Sequence, residues 1–313
     1  MIDLLKLVQD ARSLRANSKR AYAVAVRQWL EFAGPDPASW TPVKAQAFYD
    51  HMLDRGQLSA ATLNNVTVVG LQFAFDRANT LYGIPNPIGA IDPVKPPRDQ
   101  DAVRRALTAP QVKALLAACA GPRLIDLRDR AIVTLGLYTG MRAMSLAALT
   151  ATWEAGDDAA YWLCRVPLKG GALYSVPVAA QVRATIQPYA DAVAVAPADR
   201  LFRRVRSSIT PTGDEATPGA ALSEDGVYRA LRARGVAAGL TFHPHLLRHT
   251  FVTWCRRAGV DEMLVAAVTG HKPRSNVQML DTYTDKRQLA RDAARLCYAA
   301  VAARLAEPPD RKD

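Results

Sequence analysis

The stretch HPHLLRHTF, residues 243–251, is the most specific string in this chain and predicts the start of a helix. Pro244 suits the first helical turn, because its missing N–H would have no partner there in any case. The spacing of His245, Arg248 and His249 places them on neighbouring parts of one helical surface. Apolar residues flank Arg248, which predicts a partly buried guanidinium. Such a group needs an anionic partner, and a phosphate could bind it through two hydrogen bonds.

A second arginine stands in the string LYTGMRAMSLAAL, residues 137–149. Arg142 follows Gly140 by two positions and lies between apolar stretches. One interpretation is a core arginine paired with a carboxylate; another is a second phosphate ligand beside Arg248. Two guanidinium groups on one phosphate would stabilise the charge that develops in a pentacoordinate transition state. For His245, an ordinary structural role at a helix N-terminus is the alternative to a catalytic one.

Three further residues complete a basic set that ends in a tyrosine. Lys169 lies in the Gly-rich connection of a predicted β-hairpin, between runs at 161–167 and 172–178. An exposed lysine in a turn usually has only water as its partner. His271 follows a candidate C-cap at Gly270, and a surface histidine there would not by itself indicate a function. Tyr283 lies in DTYTD, twelve residues further on. Its ordinary pKa is about 10, so attack on a phosphodiester would require a base or adjacent cations.

The charge of the chain favours an anionic partner. The formal net charge is +11, and residues 101–313 hold 29 Lys and Arg against 20 Asp and Glu. Nucleic acid is the first candidate, an anionic membrane surface the second, and a basic surface kept for solubility the plain alternative. The four cysteines form no CxxC pair, which argues against a zinc site or a disulfide framework. With no signal peptide and no run of about 20 apolar residues, we expect a soluble, cytoplasmic protein associated with the nucleoid.

The pattern along the chain predicts two domains joined by a linker. Helices are predicted from Ser18, as N-cap, to Phe32, over Pro42–Arg55, and from Ser59 or Thr62 to about Leu81, with no convincing strand before residue 100. The polar, Pro-rich segment at residues 92–104 predicts the linker between residues 1–91 and 105–313. In the second domain we predict a helix capped by Thr108, a buried helix ending at Gly140, the hairpin, and four later helices. The later helices are predicted at residues 225–238, 244–257, 261–269 and 286–305, with a loop at 210–223.

These strings, taken together, resemble the tyrosine recombinase (phage integrase) family. HLLRHTF, LYTGMR, and GH followed by TYT match three separated patches of the family in the right order. LTAPQVKALL and LRDRAIVTL resemble its catalytic-domain entry, and SKRAYAVAVRQWLEF and NPI resemble its core-binding domain. The resemblance implies a mainly α-helical protein. Its N-terminal domain would be a SAM-like helical core-binding bundle, and its C-terminal domain an α+β DNA breaking-rejoining catalytic domain with a small antiparallel sheet.

The resemblance also implies roles for the basic set. Arg142 and Arg248 would clamp the scissile phosphate and His271 would add a contact to it. His245 would act as acid and base, Lys169 as general acid, and Tyr283 as the nucleophile. No cofactor, metal ion or ATP is expected, which agrees with the lack of clustered carboxylates in the sequence. The expected partners are double-stranded DNA, a homotetramer on synapsed sites, and accessory DNA-bending or directionality proteins.

Two departures from the family pattern bear on the site. Ser145 lies three positions after Arg142, where the family often has an acidic residue that orients the active-site network. Either another carboxylate has this role or Arg142 is held differently. The segment from His271 to Tyr283 is longer than usual, and Tyr298 is therefore the fallback nucleophile, although a packing role suits it better. The last helix would either dock on its own domain or insert into a neighbouring protomer, as the family suggests.

The function expected from the resemblance is site-specific recombination. DNA would be cleaved and rejoined through a 3′-phosphotyrosyl intermediate, and two rounds of exchange would pass through a Holliday junction. Two alternatives stay open. One is a relaxing enzyme of the type IB topoisomerase kind, and the other is a non-catalytic, architectural DNA-binding protein on the same fold.

Overall fold

The computed structural model describes residues 2–95, 106–156, 160–167, 173–205, 219–270 and 286–307. The chain separates into two compact units, Met1–Ala102 and Val103–Asp313, each with its own apolar core. Most of the predicted linker lies outside the described residues. Its first residues belong to the N-terminal unit by their contacts, since the Asp92 N–H donates to the Gln46 side chain (2.8 Å) and the Val94 N–H to the Tyr49 hydroxyl (2.9 Å).

Over its described residues, the N-terminal unit is helical, as predicted. Its helices are α1 (Leu4–Gln9), α2 (Ala16–Ala33), α3 (Pro42–Asp54), α4 (Ala60–Thr62) and α5 (Val69–Tyr82), with a π-helical segment at Leu63–Val68 and single 3₁₀ turns at Pro37–Ser39 and Ile88–Ala90. Trp29 lies at the centre of the core, with its ring edge-to-face against Phe48 (5.4 Å) and Phe75 (5.8 Å). These contacts join α2, α3 and α5 into one bundle.

The start of α2 was predicted wrongly. Ser18 was expected to cap this helix, but α2 begins at Ala16 and no side chain caps its first turn. Its stability comes instead from burial of one apolar face, which outweighs a missing cap in a helix of this length. Ser59, by contrast, does cap α4, because its hydroxyl accepts from the Thr62 N–H (3.2 Å).

The C-terminal unit surrounds a small antiparallel sheet with helices. Its elements are α6 (Ala109–Ala117), α7 (Leu124–Thr139), α8 (Ala143–Ala148), β1 (Trp153–Ala155), β2 (Tyr161–Pro167), β3 (Leu173–Ala179), α9 (Ala180–Val193), α10 (Glu224–Ala237), α11 (His245–Arg257), α12 (Glu262–Thr269) and α13 (Lys286–Ala306). The strand order is β1-β2-β3. The two predicted strands and the four predicted later helices are confirmed to within a residue or two, whereas β1 and α9 were not predicted. Most of the predicted loop at 210–223 and the whole turn at 168–172 lie outside the described residues.

Two local signals place α6 and α7 as predicted. Thr108 and Gln111 form a reciprocal capping box at the start of α6. Gly140 ends α7 in the left-handed region, with φ +61°. A Cβ at this position would lie 2.8 Å from the Phe251 ring and 3.0 Å from Thr269 Cγ2, so both the backbone angle and the space require glycine.

The last helix, α13, docks on its own unit. Ala293, Cys297 and Val301 are buried against the core that α7, α11 and β3 share. Tyr298 stacks on Tyr138 of α7 with ring centroids 5.4 Å apart, which agrees with a packing role for this tyrosine. Two placements were predicted for this helix, and in the single chain it packs on its own domain. None of the described helices is long and apolar enough to cross a bilayer.

All four cysteines are free and buried: Cys119, Cys164, Cys255 and Cys297. Burial raises the pKa of the Cys119 thiol to about 11, which keeps it protonated at neutral pH. The thiols therefore behave as small apolar core residues.

A buried ionic network joins α6, α7 and α10. Arg234 donates to Asp129 (2.7 Å), to Asp126 (2.8 Å) and to the Ala118 carbonyl (2.8 Å). Arg128 also binds Asp129, through Nε (2.9 Å) and Nη2 (2.7 Å). Hydrogen bonds from Arg123 and Arg234 hold the pKa of the Asp126 carboxyl below its usual range. Asp126 and Asp129 are each only 3% exposed. The arginines therefore supply hydrogen bonds to carboxylates that water hardly reaches.

Replacing Asp129 with asparagine is expected to lower the free energy of unfolding of the C-terminal unit by about 3 kcal/mol, because it leaves buried arginine charge without its partner. Urea unfolding measures this loss. Arg123→Ala is the matched control. Its side chain is 66% exposed, and we expect a much smaller loss, because solvent screens an exposed ion pair. Equal losses in the two variants would mean that burial does not set the strength of this network.

Candidate active site

Arg248 is held by the C-terminal ends of two helices. It lies in the first turn of α11 and is 7% exposed. Its Nη1 donates to the Gly140 carbonyl (2.8 Å) at the end of α7 and to the Thr269 carbonyl (2.9 Å) at the end of α12. Carbonyls at helix C-termini lack intrahelical partners, and the helix dipole favours a cation there. The backbone thus orients this guanidinium.

Arg248 has further donors on Nε and Nη2. Among the described residues, neither its Nε nor its Nη2 has a hydrogen-bond partner. Burial, and then the charge of Arg142, lower the pKa of Arg248 to about 10. The side chain is still a cation at neutral pH, and it carries two donors in the geometry that matches two oxygens of a phosphate.

Arg142 brings a second positive charge to the same place. It is the N-cap residue of α8, follows Gly140 through an extended backbone (φ −74°, ψ 154°), and is half-buried. It forms no hydrogen bond or ion pair with any residue that the structure describes. The alternative of a core arginine paired with a carboxylate is therefore not observed within that part of the chain. Two neighbouring arginines that have no acidic partner within the described ranges can bind an anion.

Ser145, at the position where the family often has an acid, is buried in α8 three residues after Arg142. In the described ranges, no carboxylate pairs with Arg142 or Arg248. The sequence left open whether another carboxylate serves Arg142 or whether Arg142 is held differently, and the described residues do not decide between the two. Arg248, by contrast, is held by main-chain carbonyls. Nor do the described residues contain a group of three or more His, Cys, Asp or Glu side chains placed to bind a metal ion.

His245 is the first residue of α11 and is exposed, three residues before Arg248 on the same helix. This spacing puts the imidazole about one turn from the guanidinium, with access from solvent. His249 is less exposed, and its Nδ1 lies 3.4 Å from Thr253 Oγ1. Of the two histidines, His245 is the one that an external substrate can reach more easily.

Three predicted site residues lie outside the described residues: Lys169, His271 and Tyr283. Lys169 belongs to the five-residue connection between β2 and β3, and Tyr283 precedes α13 by three residues. His271 comes two residues after Thr269, whose carbonyl binds Arg248. The structure therefore places Arg142 near Arg248 and His245 one turn before Arg248 on α11, and it leaves the placement of the other three untested.

Sequence reasoning missed the groups that orient Arg248. They are the carbonyls of Gly140 and Thr269, and every residue type offers a carbonyl. One signal was available, because Gly140 and Gly270 were both recognised as helix ends. Two helix ends close to a buried arginine are enough to supply it with acceptors.

The chain belongs to the phage integrase family, because the model of that family matches residues 105–289. The resemblance drawn from the sequence motifs is thereby confirmed. The match covers most of the unit that contains the two arginines and His245.

Known relatives and solved structures agree with this assignment. Tyrosine recombinase XerC from Roseiflexus sp. (strain RS-1) is 28% identical over 88% of this chain and 86% of its own length. Tyrosine recombinase XerA from Thermococcus kodakarensis is 25% identical, over 91% of each protein. Lambda integrase (75–356), solved as a dimer bound to a COC′ core site, has a TM-score of 0.61 at 19% identity and covers 90% of this chain and 93% of its own. XerH bound to difH also has a TM-score of 0.61 at 19% identity, over 91% and 82%. These structural neighbours confirm the predicted fold class.

Proposed function

We propose that this chain is a site-specific DNA recombinase that cleaves and rejoins duplex DNA through a 3′-phosphotyrosyl bond. The observation that carries the proposal is a pair of cations, the half-buried Arg142 and the buried Arg248, which have no acidic partner among the described residues. Membership of the phage integrase family supports it. So does the similarity to XerC over most of both chains.

In this proposal the two arginines bind the non-bridging oxygens of the scissile phosphate. Arg248 donates from Nε and Nη2, while Nη1 stays bonded to the carbonyls of Gly140 and Thr269. Because these carbonyls hold the guanidinium before DNA arrives, little reorganisation is needed as charge develops on the phosphate. Preorganised charge of this kind stabilises the transition state more than a mobile group would. Fixed arginine charge would then take the part that metal ions play in many other phosphoryl-transfer enzymes.

The other four residues of the basic set carry out or assist the bond changes. The phenolic oxygen of Tyr283 attacks the phosphorus and forms a phosphotyrosyl bond while the bond to the 5′ oxygen breaks. The phenol gives its proton to a base, for which we propose His245, and Lys169 gives a proton to the leaving 5′ oxygen. His271 contacts the phosphate. A free 5′ hydroxyl from a partner duplex reverses these steps, so the energy of the phosphodiester is conserved and no ATP is required.

The assembly we propose is a homotetramer on two synapsed DNA sites, with exchange through a Holliday junction. One structural neighbour is a lambda integrase tetramer bound to a Holliday junction, with a TM-score of 0.60 at 20% identity. The basic surplus of residues 101–313 supports binding to the DNA backbone and predicts an affinity that falls as salt rises. Accessory DNA-bending or directionality proteins would act on this complex, in the cytoplasm and at the nucleoid.

A covalent trap tests the chemistry and identifies the DNA site together. The protein is incubated with nicked, fragmented DNA from its own genomic neighbourhood, the SDS-resistant complex is digested, and the modified peptide and the attached DNA ends are sequenced. We expect a phosphotyrosine at Tyr283 and one recurring DNA end. Salt-sensitive binding without any adduct would contradict the proposal and favour an architectural DNA-binding protein. An adduct that leads only to relaxation, without a paired recombinant product, would favour a topoisomerase-like enzyme.

A further inference from the structure

The end of α12 that holds Arg248 is itself held from outside the helix. The last carbonyls of a helix have no intrahelical donors and need other partners. The Gly270 N–H donates to the Ala266 carbonyl (2.8 Å), and Arg248 donates to the Thr269 carbonyl (2.9 Å). The carbonyl between them in sequence, that of Ala267, accepts from the hydroxyl of Tyr174 (2.5 Å). One residue of the sheet therefore binds the same helical turn as the arginine.

Tyr174 is suited to hold this turn in a fixed position. It lies in β3 opposite Val166 of β2, so its backbone is part of the sheet ladder. The ring is half-buried, and burial raises the pKa of its hydroxyl to about 12, so the group remains a donor at neutral pH. A tyrosine has only two side-chain torsions before its ring, which limits how far the hydroxyl can move. The sheet thereby sets the position of the Ala267 carbonyl.

We propose that Tyr174 is a positioning residue for Arg248 in DNA cleavage, acting through the last turn of α12. The inference rests on the proposed function, in which Arg248 binds the scissile phosphate. Tyr174 contacts the Ala267 carbonyl, whereas the phosphate is bound by the two arginines. Without its hydroxyl, that carbonyl loses its donor and the helix end loosens. The Thr269 carbonyl then no longer fixes Nη1 of Arg248, and the preorganisation of the clamp is lost.

The first experiment measures the helix end in the free, full-length protein. Tyr174→Phe removes only the hydroxyl, and Tyr189→Phe is the matched control. Tyr189 also has a buried hydroxyl with a pKa of about 12, which bonds the Leu201 carbonyl (3.2 Å) and the Arg203 N–H (3.0 Å). We expect Tyr174→Phe to speed amide hydrogen exchange of Gly270 about tenfold, because local opening sets that rate. Tyr189→Phe should leave Gly270 unchanged, and an unchanged rate in Tyr174→Phe would overturn the proposal.

The second experiment measures cleavage of a duplex that carries the DNA end recovered by the covalent trap. At saturating DNA and equal concentrations of folded protein, we expect Tyr174→Phe to form the adduct about tenfold more slowly than wild type, while Tyr189→Phe does not. The same comparison is made with a methylphosphonate at the scissile position. That linkage carries no negative charge, so a clamp of arginines no longer matters and the deficit of Tyr174→Phe should disappear.

Arg248→Ala on the same two substrates separates the inference from the proposed function. If adduct formation by Arg248→Ala stays slow on the methylphosphonate, the proposal of an arginine clamp is itself wrong. If the methylphosphonate removes the deficit of Arg248→Ala but not that of Tyr174→Phe, the arginine clamp is supported and the positioning role of Tyr174 is wrong. An equal deficit in Tyr189→Phe would also overturn that role, because it would reflect a general loss of structure.

Discussion

Arg248→Ala is expected to slow formation of the covalent DNA adduct by about 10²–10³-fold, the loss usual for a preorganised donor that stabilises a transition state. The variant removes the two donors that we propose bind the phosphate, and it takes the Arg248 donor away from the carbonyls of Gly140 and Thr269. The rate is measured in single-turnover reactions on the trapped DNA end. Because contacts to the DNA backbone usually supply most of the affinity of a DNA-binding protein, binding should weaken far less than cleavage.

Arg248→Lys is the matched variant for this experiment. A lysine keeps the charge and can reach one of the carbonyls, but it has no fork of donors for two phosphate oxygens. We therefore expect it to keep most of the deficit of Arg248→Ala, with folding checked by circular dichroism. A wild-type rate in Arg248→Lys would show that a point charge is sufficient and that the bidentate clamp is the wrong description.

Tyr283→Phe is expected to abolish the covalent adduct entirely, since phenylalanine has no oxygen to attack the phosphorus. DNA binding and its salt dependence should remain, because the substitution removes one oxygen and leaves every Lys and Arg in place. Gel mobility in the presence of SDS detects the adduct, and filter binding over a salt series measures the affinity.

Tyr298→Phe is the control for this assignment. Tyr298 stacks on Tyr138 between α13 and α7, and a phenylalanine ring preserves that stacking. We expect full adduct formation in this variant. The reverse pattern, an adduct in Tyr283→Phe and none in Tyr298→Phe, would make Tyr298 the nucleophile.

Elements with a local signal were predictable from the sequence. Thr108 with Gln111 marks the start of α6, and Gly140 marks the end of α7, because caps and left-handed turns depend on one or two residues. The strands β2 and β3 were predictable for a similar reason. Their β-branched and aromatic runs are interrupted by a lysine and two glycines.

Elements that depend on tertiary contacts were missed. The three-residue strand β1 is defined by its pairing with β2, which no local pattern reveals. Helix α9 starts without a side-chain cap and contains Pro188, so its local signals argue against a helix. Burial of Val182, Ile186 and Tyr189 stabilises it instead. The same limit applies to the site, where residue types predicted Arg142 and Arg248, whereas the main-chain acceptors of Arg248 and the hydroxyl of Tyr174 required the fold.

The burial of all four thiols has a practical consequence for following this protein on DNA. Maleimide dyes react with accessible thiolates, and the native cysteines are all 1% exposed or less. A single cysteine introduced at an exposed position such as Val43, which is 80% exposed, would therefore carry a fluorophore at one defined place without removal of the natural cysteines. Donor- and acceptor-labelled copies made in this way would report, by energy transfer, how many protomers join one pair of DNA sites and in what order.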